Sequence, residues 1–276
     1  MTPAAWPRRW RAAAGDLLLG SSCHGCGAPA WTLCDGCRDD LAASPARPTR
    51  PEPCPPGFPR TWTAGSYDAL ARGMVSAHKE RSALGLTRVL GERLALAVLA
   101  LLAESDGAGD DRLGAGGGTL VLVPVPSARR AVRARGFDAG LALARAAAAR
   151  LPGARAGPLL TSTRRVADQS GLGAAERQVN LAGAFRLRAP GRWSTRPRSG
   201  ASWPGVTVVV VDDVVTSGAS LAEAVRALRA GGVPVLGAAT VAATVRRGSP
   251  RTALRDVAGP VVTGGRPSLS DGRSGV

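Results

Sequence analysis

The second half of the chain contains a strand–helix–strand pattern, and this pattern restricts the fold more than any other feature. Residues 206–213, VTVVVVDD, are a short apolar run that predicts a buried strand. The segment SLAEAVRALRAGG follows with helical spacing, and we expect Ser220 and Glu223 to form a capping box at its start and the Gly-Gly pair to end it. Residues 233–245 predict a further strand. Strand, helix and strand at these lengths indicate a parallel sheet with right-handed crossovers.

Earlier segments extend the same architecture. Residues 119–126, TLVLVPVP, predict another buried strand, because the run is short, apolar and ends in prolines. The segment FDAGLALARAAAARLPG then predicts a helix that stops at Pro and Gly. Apolar spacing between residues 67 and 104 predicts a helix there as well. The chain is therefore predicted to be an α/β protein with a parallel sheet flanked by helices.

Two adjacent carboxylates, Asp212 and Asp213, follow four valines, and a loop of hydroxyl and small residues comes next at 216–220. Ligands of open parallel sheets bind beyond the carboxyl ends of the strands, where we expect this pair to lie. Side-by-side carboxylates can accept hydrogen bonds from a vicinal diol, and the loop offers hydroxyl and N–H groups to a phosphate. The pattern predicts a ribose phosphate site. The alternative is a strand end followed by an ordinary turn and helix cap.

Four arginines, Arg129, Arg130, Arg133 and Arg135, lie within seven residues after the strand at 119–126. Like charges this close together repel one another unless an anion binds between them. Two interpretations stay open at this point. The segment is either a solvated basic turn or an anion site at the end of a strand.

The cysteines near the N-terminus have the spacing of a metal site. Cys23, Cys26, Cys34 and Cys37 form a C-x2-C-x7-C-x2-C pattern that can deliver four thiolates to a structural Zn²⁺. The first 25 residues lack the long apolar run and cleavage site of a secretory signal, so we expect a cytoplasmic protein without disulfides. Cys54 has no paired cysteine nearby, and we expect an ordinary thiol there.

The charge balance is strongly basic, at +16 over 276 residues. Nearly all of it is arginine, since Lys79 is the only lysine, and the abundance of Ala and Gly beside it favours a coding bias over a nucleic-acid surface. No run of about 18 apolar residues occurs, so no membrane span is predicted.

The stretch VVVVDDVVTSGAS closely resembles the phosphoribosyl pyrophosphate (PRPP) motif of type I phosphoribosyltransferases, which has an apolar strand, two acids and a Thr/Ser-Gly loop. The resemblance implies that Asp212 and Asp213 are the catalytic pair and hold the ribose hydroxyls. It also implies that the loop residues cradle the 5′-phosphate. These residues are Thr216, Ser217, Gly218, Ala219 and Ser220.

A wider resemblance covers roughly residues 15–245. Six segments resemble, in their order, the ComF family of phosphoribosyltransferase-like proteins. They are the N-terminal cysteines, the segment around Lys79, PVP, RARGFDAG, the stretch with Gln169, Arg177 and Asn180, and DDVVTSG. This resemblance implies a type I phosphoribosyltransferase fold at 61–250. The cysteines and the Pro-rich run indicate a zinc module with a linker at 1–60, and the abundance of Gly, Ser, Arg and Pro predicts a disordered tail at 251–276. The segment RGFDAG departs from the family, because Asp138 and Ala139 replace an Asn-Gln pair and leave the acceptor contact open.

The ComF resemblance also assigns residues to the remaining parts of the site. The pyrophosphate of PRPP, with Mg²⁺, would be held by Pro126, Ser127, Arg129, Arg133, Arg135 and Lys79. A mobile hood over the site would include Arg164, Gln169, Arg177 and Asn180.

The predicted function is a phosphoribosyltransferase that passes ribose 5-phosphate from PRPP to an unidentified nitrogenous acceptor and releases pyrophosphate. Related PRPP-binding domains often form homodimers, so a homodimer is possible. The alternative is a non-catalytic PRPP sensor or an accessory protein for DNA uptake in competence, with nucleic acid as partner. Aromatic residues make up only 4% of the chain, which disfavours base stacking and thus this alternative.

Overall fold

The computed structural model describes residues 22–106, 118–163, 181–188, 203 and 205–244. The predicted tail at 251–276 lies outside this range, and the boundaries between the predicted domains stay predictions. The described helices are α1 (Asp35–Ala43), α2 (Ala69–Glu80), α3 (Leu86–Asp106), α4 (Arg129–Arg135), α5 (Ala139–Ala148) and α6 (Ala219–Ala230). The described strands are β1 (Arg47–Pro48), β2 (Thr61–Thr63), β3 (Thr119–Pro124), β4 (Ala154–Ala156), β5 (Leu160–Ser162), β6 (Phe185–Leu187), β7 (Val206–Val215) and β8 (Val235–Ala243).

The main sheet has six strands in the order β1-β2-β8-β7-β3-β4. Every neighbouring pair in it is parallel except β1 with β2, which is antiparallel. A separate antiparallel pair is formed by β5 and β6. The predicted α/β class with a mostly parallel sheet flanked by helices is confirmed, and the short strands β1, β2, β4, β5 and β6 are additions that the sequence patterns did not indicate.

The valine run of β7 lies at the centre of the sheet and is buried on both faces. Val209 and Val211 belong to one core cluster, together with residues of α3 and α5. Val208 and Val210 belong to the other cluster, which includes residues of α6. Successive side chains of a strand point to opposite faces, so a central strand covered by helices on both sides needs an unbroken apolar run.

The single helix predicted between residues 67 and 104 is wrong in one respect, because the segment forms two helices. Asp68 caps α2 by accepting a hydrogen bond from the Ala71 N–H at 2.9 Å. A five-residue connection, 81–85, then separates α2 from α3, and within it Ser82 has a φ of 51°. A left-handed residue cannot continue an α-helix, so the apolar periodicity resumes only at Leu86. No helix in the described part of the chain combines the length and apolar character that crossing a bilayer requires.

The predicted capping box at the start of α6 is also wrong. The N-cap residue is Gly218, in the left-handed region with φ 74°, and Ser220 lies inside the first turn. Glu223 is buried and accepts a hydrogen bond from the Phe185 N–H of β6 at 3.1 Å. The predicted stop is confirmed, since α6 ends at Ala230, before the two glycines. Glu223 therefore joins β6 to α6 instead of closing a cap.

A buried arginine joins α3 to the N-terminal part of the described chain. The side chain of Arg93 is 7% exposed, and its guanidinium donates to the carbonyl oxygens of Leu41 at 2.7 Å and Ser44 at 2.6 Å. A further carbonyl, that of Ala64, accepts from the same group. The Leu41 carbonyl lies in the last turn of α1, where a cation is favourable. One side chain thus donates to three backbone carbonyls, of which that of Leu41 also accepts the Ser44 N–H at 3.2 Å.

Replacing Arg93 with Met should lower the free energy of unfolding by about 3 kcal/mol, because one buried and two partly buried carbonyl groups would lose a charged donor. Urea unfolding measures the change. Arg88→Met is the matched control, since Arg88 is on the same helix with a 76% exposed side chain that pairs with Glu92. The control should lose about 0.5 kcal/mol or less. Equal losses in the two variants would contradict an anchoring role for Arg93.

Candidate functional site

The sheet has a topological switch point between β3 and β7. From β3 the chain passes through α4 and α5 to β4 on one side, and it later returns to β7 on the other side of β3. Connections that leave in opposite directions open a crevice at the carboxyl ends of the two strands, and ligands of open α/β sheets bind in this crevice. Pro124, the last residue of β3, pairs with Val211 of β7. The next residue of β7 is Asp212.

The two aspartates lie inside β7 and not beyond its end, which corrects the position expected from the sequence. Strand β7 continues to Val215, and Asp212 pairs with Thr240 of β8. The adjacent strand β3 ends before the aspartates, so on that side the crevice is open at their level. On the other side of β7, strand β8 continues to Ala243. Its residues pair with β7 past the acid pair and so allow β7 to continue to Val215.

The acid pair is largely desolvated. Asp213 is 9% exposed, and one of its oxygens accepts a hydrogen bond from the Val214 N–H at 2.7 Å. The Asp213 N–H donates to Asp212 at 2.9 Å. Burial, and next the neighbouring Asp213 carboxylate, raise the pKa of Asp212 to about 8. Asp212 therefore holds a proton at neutral pH when no ligand or cation is bound.

Lys79, in the last turn of α2, forms an ion pair with Asp213. Its side chain remains 42% exposed. Burial acts to lower the pKa of Lys79, but the charges of Asp213 and Asp212 outweigh it and the pKa is raised. The ComF resemblance implied contact between Lys79 and pyrophosphate. The structure places Lys79 at the acid pair, where a cation offsets the buried negative charge.

The arginine cluster forms the short helix α4, which has no buried residue. Arg129 and Arg133 lie on its exposed side. Arg135 is half-buried, and its Nε atom is buried with no hydrogen-bond partner among the described residues. The guanidinium is close enough to act electrostatically on Lys79 and His78. Of these three arginines, Arg135 is therefore the one that the structure places near the acid pair.

The loop between β3 and α4 carries Pro126 and Ser127, both partly exposed at the mouth of the crevice. The Ser127 hydroxyl donates to the Asp138 carboxylate at 2.9 Å. Asp138 also accepts from the Leu141 N–H at 3.2 Å and so caps α5. Asp138, which departs from the family pattern, therefore accepts hydrogen bonds from both Ser127 and Leu141, and it orients the Ser127 hydroxyl.

The loop after the aspartates turns sharply into α6. Thr216 is exposed and Ser217 half-buried, while Ala219 and Ser220 are the first residues of the helix. Gly218 packs against the Pro-rich segment, where a Cβ atom at this position would lie 2.6 Å from Phe58 Cε2 and 2.8 Å from Pro51 Cγ. Only glycine fits both the left-handed backbone and this contact. The free N–H groups of the α6 N-terminus then face the same end of the sheet as the acid pair.

The predicted hood residues Arg164, Gln169, Arg177 and Asn180 lie outside the described residues. The structure does show how the two ends of that segment are held. The Thr163 N–H donates to the Ala184 carbonyl at 2.8 Å, which extends the pairing of β5 with β6. Arg226 forms a two-point ion pair with Glu223 and also donates to the Phe185 carbonyl at 3.2 Å. Strand β6 is thus fixed to α6, the helix that follows the predicted phosphate loop.

The four N-terminal cysteines converge, with all four Sγ atoms within 4.8 Å of one another. Tetrahedral coordination of Zn²⁺ by thiolates places neighbouring sulfurs about 3.8 Å apart, so the group can hold this ion with little rearrangement. Cys23 accepts N–H donors from Gly25 at 3.4 Å and Cys34 at 3.3 Å. Burial favours its thiol, yet backbone donors from Cys34, Cys26 and Gly25 lower the pKa of Cys23 to about 6. All the cysteines are free thiols, and Cys54 lies outside the cluster.

Two contributions to the site were missed from the sequence. The first is His78, which is 3% exposed and lies beside Lys79. The second is the pair Phe58 and Pro51, which pack against Gly218 and so support the loop. The left-handed Gly218 could have been suspected from the turn, but its partners are about 160 residues away along the chain. No local signal identifies contacts of that kind.

Comparison with known families agrees with this geometry. Residues 138–260 match the family model described as a phosphoribosyl transferase domain. The match includes Asp212, Asp213 and the loop at 216–220, and it covers less than half of the chain. No curated protein matches the sequence. The findings support a protein of the type I phosphoribosyltransferase-like class with an N-terminal cysteine cluster that could bind zinc.

The raised pKa of Asp212 predicts how stability changes with pH. The folded protein binds more protons than the unfolded chain between the ordinary pKa of 3.8 and the raised value of about 8, so the free energy of unfolding should fall as pH rises through this window. Asp212→Asn removes the ionisation and should lessen that fall. Urea unfolding at about pH 5 and about pH 9 measures it. An unchanged pH dependence in Asp212→Asn would show that Asp212 is not perturbed.

The cysteine cluster predicts a stoichiometric metal. Purified protein should contain one zinc ion per chain, and Cys26→Ser should lose the ion and more than about 3 kcal/mol of stability, because metal binding contributes directly to folding. Elemental analysis and urea unfolding give both values. Cys54→Ser is the control and should keep the zinc. Zinc-free natural protein with the stability of Cys26→Ser would refute the structural role.

Proposed function

We propose that this protein is a phosphoribosyltransferase, which binds PRPP and transfers its ribose 5-phosphate group to a nitrogenous acceptor with release of pyrophosphate. The observation that carries the proposal is the position of Asp212 and Asp213, which lie at the switch point beside β3 and within the segment 138–260 that matches the phosphoribosyl transferase model. The loop at a helix N-terminus directly after them supports the same ligand.

The ribose 5-phosphate half of PRPP would bind to β7 and the loop that follows. Asp212 and Asp213 would accept hydrogen bonds from the two ribose hydroxyls. The hydroxyls of Thr216, Ser217 and Ser220 and the backbone N–H groups of Gly218 and Ala219 would hold the phosphate. The contact of Gly218 with Phe58 keeps this turn in one conformation, which reduces the entropy lost on binding.

The pyrophosphate half would face the loop of Pro126 and Ser127 and the cations beside it. The buried Nε of Arg135 has no partner within the described part of the chain, and Lys79 has a 42% exposed side chain next to the acid pair, so both can contact the leaving group. Arg129 and Arg133 would add positive charge from the exposed side of α4. As the acceptor nitrogen forms a bond to the anomeric carbon, the bond from that carbon to the pyrophosphate oxygen breaks. The departing negative charge is stabilised by these cations.

The acid pair also suits Mg²⁺, which prefers oxygen ligands and binds through carboxylates together with substrate phosphates. Asp212 and Asp213 would hold the ion near the ribose hydroxyls. When bound, Mg²⁺ would neutralise charge on the pyrophosphate. Because the pKa of Asp212 in the free protein is raised to about 8, binding of cation and substrate requires Asp212 to release its proton at neutral pH.

Membership of the ComF family, a cytoplasmic location and a homodimer belong to the same proposal. The order of the segments and the converged cysteines support the family. Arg164, Gln169, Arg177 and Asn180 are proposed to read the acceptor, on the basis of the family resemblance alone. The acceptor is to be identified by screening nucleobases for pyrophosphate release.

We expect calorimetric titration to show PRPP binding in the presence of Mg²⁺, and an Asp212→Asn, Asp213→Asn double variant to lose at least about a hundredfold in affinity, since two charged acceptors are removed. The matched control is Asp39→Asn, Asp40→Asn, a second adjacent pair with the same charge change on the exposed surface of α1. Repeating the titration in buffers of different ionisation enthalpy should show about one proton released at neutral pH.

Different outcomes separate the possibilities. Binding followed by pyrophosphate release with one of a panel of nucleobases supports the enzyme. Binding without release with any acceptor supports a PRPP sensor. If the folded protein does not bind PRPP, the proposal fails, and salt-dependent binding of DNA would then favour the uptake accessory.

A further inference from the structure

His78 is a buried histidine that the proposed mechanism does not use. It lies one residue before Lys79, near the end of α2, and it is 3% exposed. The two neighbouring side chains have different environments, because Lys79 reaches the acid pair while His78 packs inward. The polar nitrogens of a buried imidazole need hydrogen-bond partners.

The first partner of His78 is on the next helix. Its Nε2 atom lies 2.9 Å from the Oγ1 atom of Thr87, in the first turn of α3. This hydrogen bond spans the connection at 81–85, which contains the left-handed Ser82 and is mostly exposed. Backbone hydrogen bonds from the Arg81 and Ala83 N–H groups to the Ala77 carbonyl close the end of α2. The bond to Thr87 joins that end to α3, and it therefore fixes the backbone of Lys79 relative to α3.

The second partner of His78 is in the connection between α4 and α5. The His78 and Phe137 rings are in edge-to-face contact, with centroids 5.6 Å apart and planes at 77°. Phe137 lies between Arg135, which has the unpartnered Nε, and Asp138, which caps α5 and orients Ser127. The His78 ring thus lies between two segments, α2, which carries Lys79, and the end of α4, which carries Arg135.

Burial and the net effect of the neighbouring charges favour the neutral form of His78. Burial lowers its pKa, Asp213 of β7 opposes this effect, and Lys79 of α2 and Arg135 of α4 lower the pKa further. A neutral ring adds no third positive charge to the cluster. It can therefore pack between the two cation-bearing segments and keep its hydrogen bond to Thr87 at neutral pH.

We infer that His78 is a positioning residue that holds Lys79 and Arg135 in register at the anion end of the crevice, through its hydrogen bond to Thr87 and its contact with Phe137. The inference rests on the proposed function for the identity of the anion, a pyrophosphate group. Its geometric part, the placement of Lys79, is independent of any ligand. Loss of His78 should therefore change the environment of Lys79 even in free protein.

Lys79 offers a direct measurement, because it is the only lysine in the chain. Its amine is held in an ion pair by Asp213, so it should react slowly with an amine-directed reagent at mildly alkaline pH. Peptide mass analysis separates it from the N-terminal amine. We expect His78→Leu to accelerate labelling of Lys79 about tenfold and to weaken binding of inorganic pyrophosphate with Mg²⁺ by a similar factor.

A matched pair at Thr87 tests the hydrogen bond without changing the histidine. Thr87→Val keeps the shape and removes the hydroxyl, so it should reproduce both effects of His78→Leu, while Thr87→Ser restores the hydroxyl and should resemble the natural protein. Arg88→Met, on the same helical turn with an exposed side chain, controls for changes in α3. If His78→Leu does not fold, the comparison of Thr87→Val with Thr87→Ser still tests whether the hydrogen bond to Thr87 positions Lys79. Thermal melting of each variant is recorded alongside.

The results separate the inference from the proposed function. If the natural protein binds neither PRPP nor pyrophosphate, the proposed function fails, and the labelling rate still decides the role of His78. If His78→Leu and Thr87→Val melt earlier but label at the natural rate and bind pyrophosphate within twofold of it, His78 is only a packing residue and the inference is wrong. Faster labelling with weaker pyrophosphate binding in both variants, and neither effect in Thr87→Ser, confirms it.

Discussion

The burial of two adjacent carboxylates at the end of a central strand is the constraint on which the arrangement of the site depends. Like charges in a desolvated crevice must be neutralised by protonation or by a counter-ion. Here Asp213 pairs with Lys79, and the pKa of Asp212 rises to about 8. The cation comes from α2, a helix far from β7 in sequence, so the position of α2 is part of the electrostatics of the site.

Helix α2 is packed on its other side against the cysteine segment. A Cβ atom at Gly73 would overlap the His24 carbonyl, and one at Gly25 would overlap Leu70. These close approaches require glycine on both surfaces. Cys23 and Cys37 share a core cluster with α2 and α3, and Arg93 donates to carbonyls in and just after the last turn of α1. The cysteine segment therefore supports the helix that supplies Lys79, and the Pro-rich segment supports the loop at Gly218.

Patterns within short stretches predicted the fold class well. The valine run and the helix with its glycine stop lie where the patterns placed them, and the strand predicted at 119–126 is observed at Thr119–Pro124. Predictions failed where a distant contact competes with a local rule. Glu223 fits a capping box by spacing, but its buried carboxylate binds the Phe185 N–H and Arg226 instead, and these partners hold its pKa below the ordinary range despite burial. The connection at 81–85 interrupts a helix whose apolar spacing continues on both sides.

By itself, the sequence determined the parallel α/β class, the acid pair with its hydroxyl and glycine loop, and the four cysteines at metal-binding spacing. Each of these depends on neighbouring residues, and local spacing is sufficient to reveal it. Only the tertiary structure decided that Lys79 pairs with Asp213, that Arg135 lies nearer the crevice than Arg129 or Arg133, and that His78 contacts Thr87 and Phe137. These contacts are set by the packing of α2 against the sheet and α3, and packing joins residues whose separation along the chain carries no periodic signal.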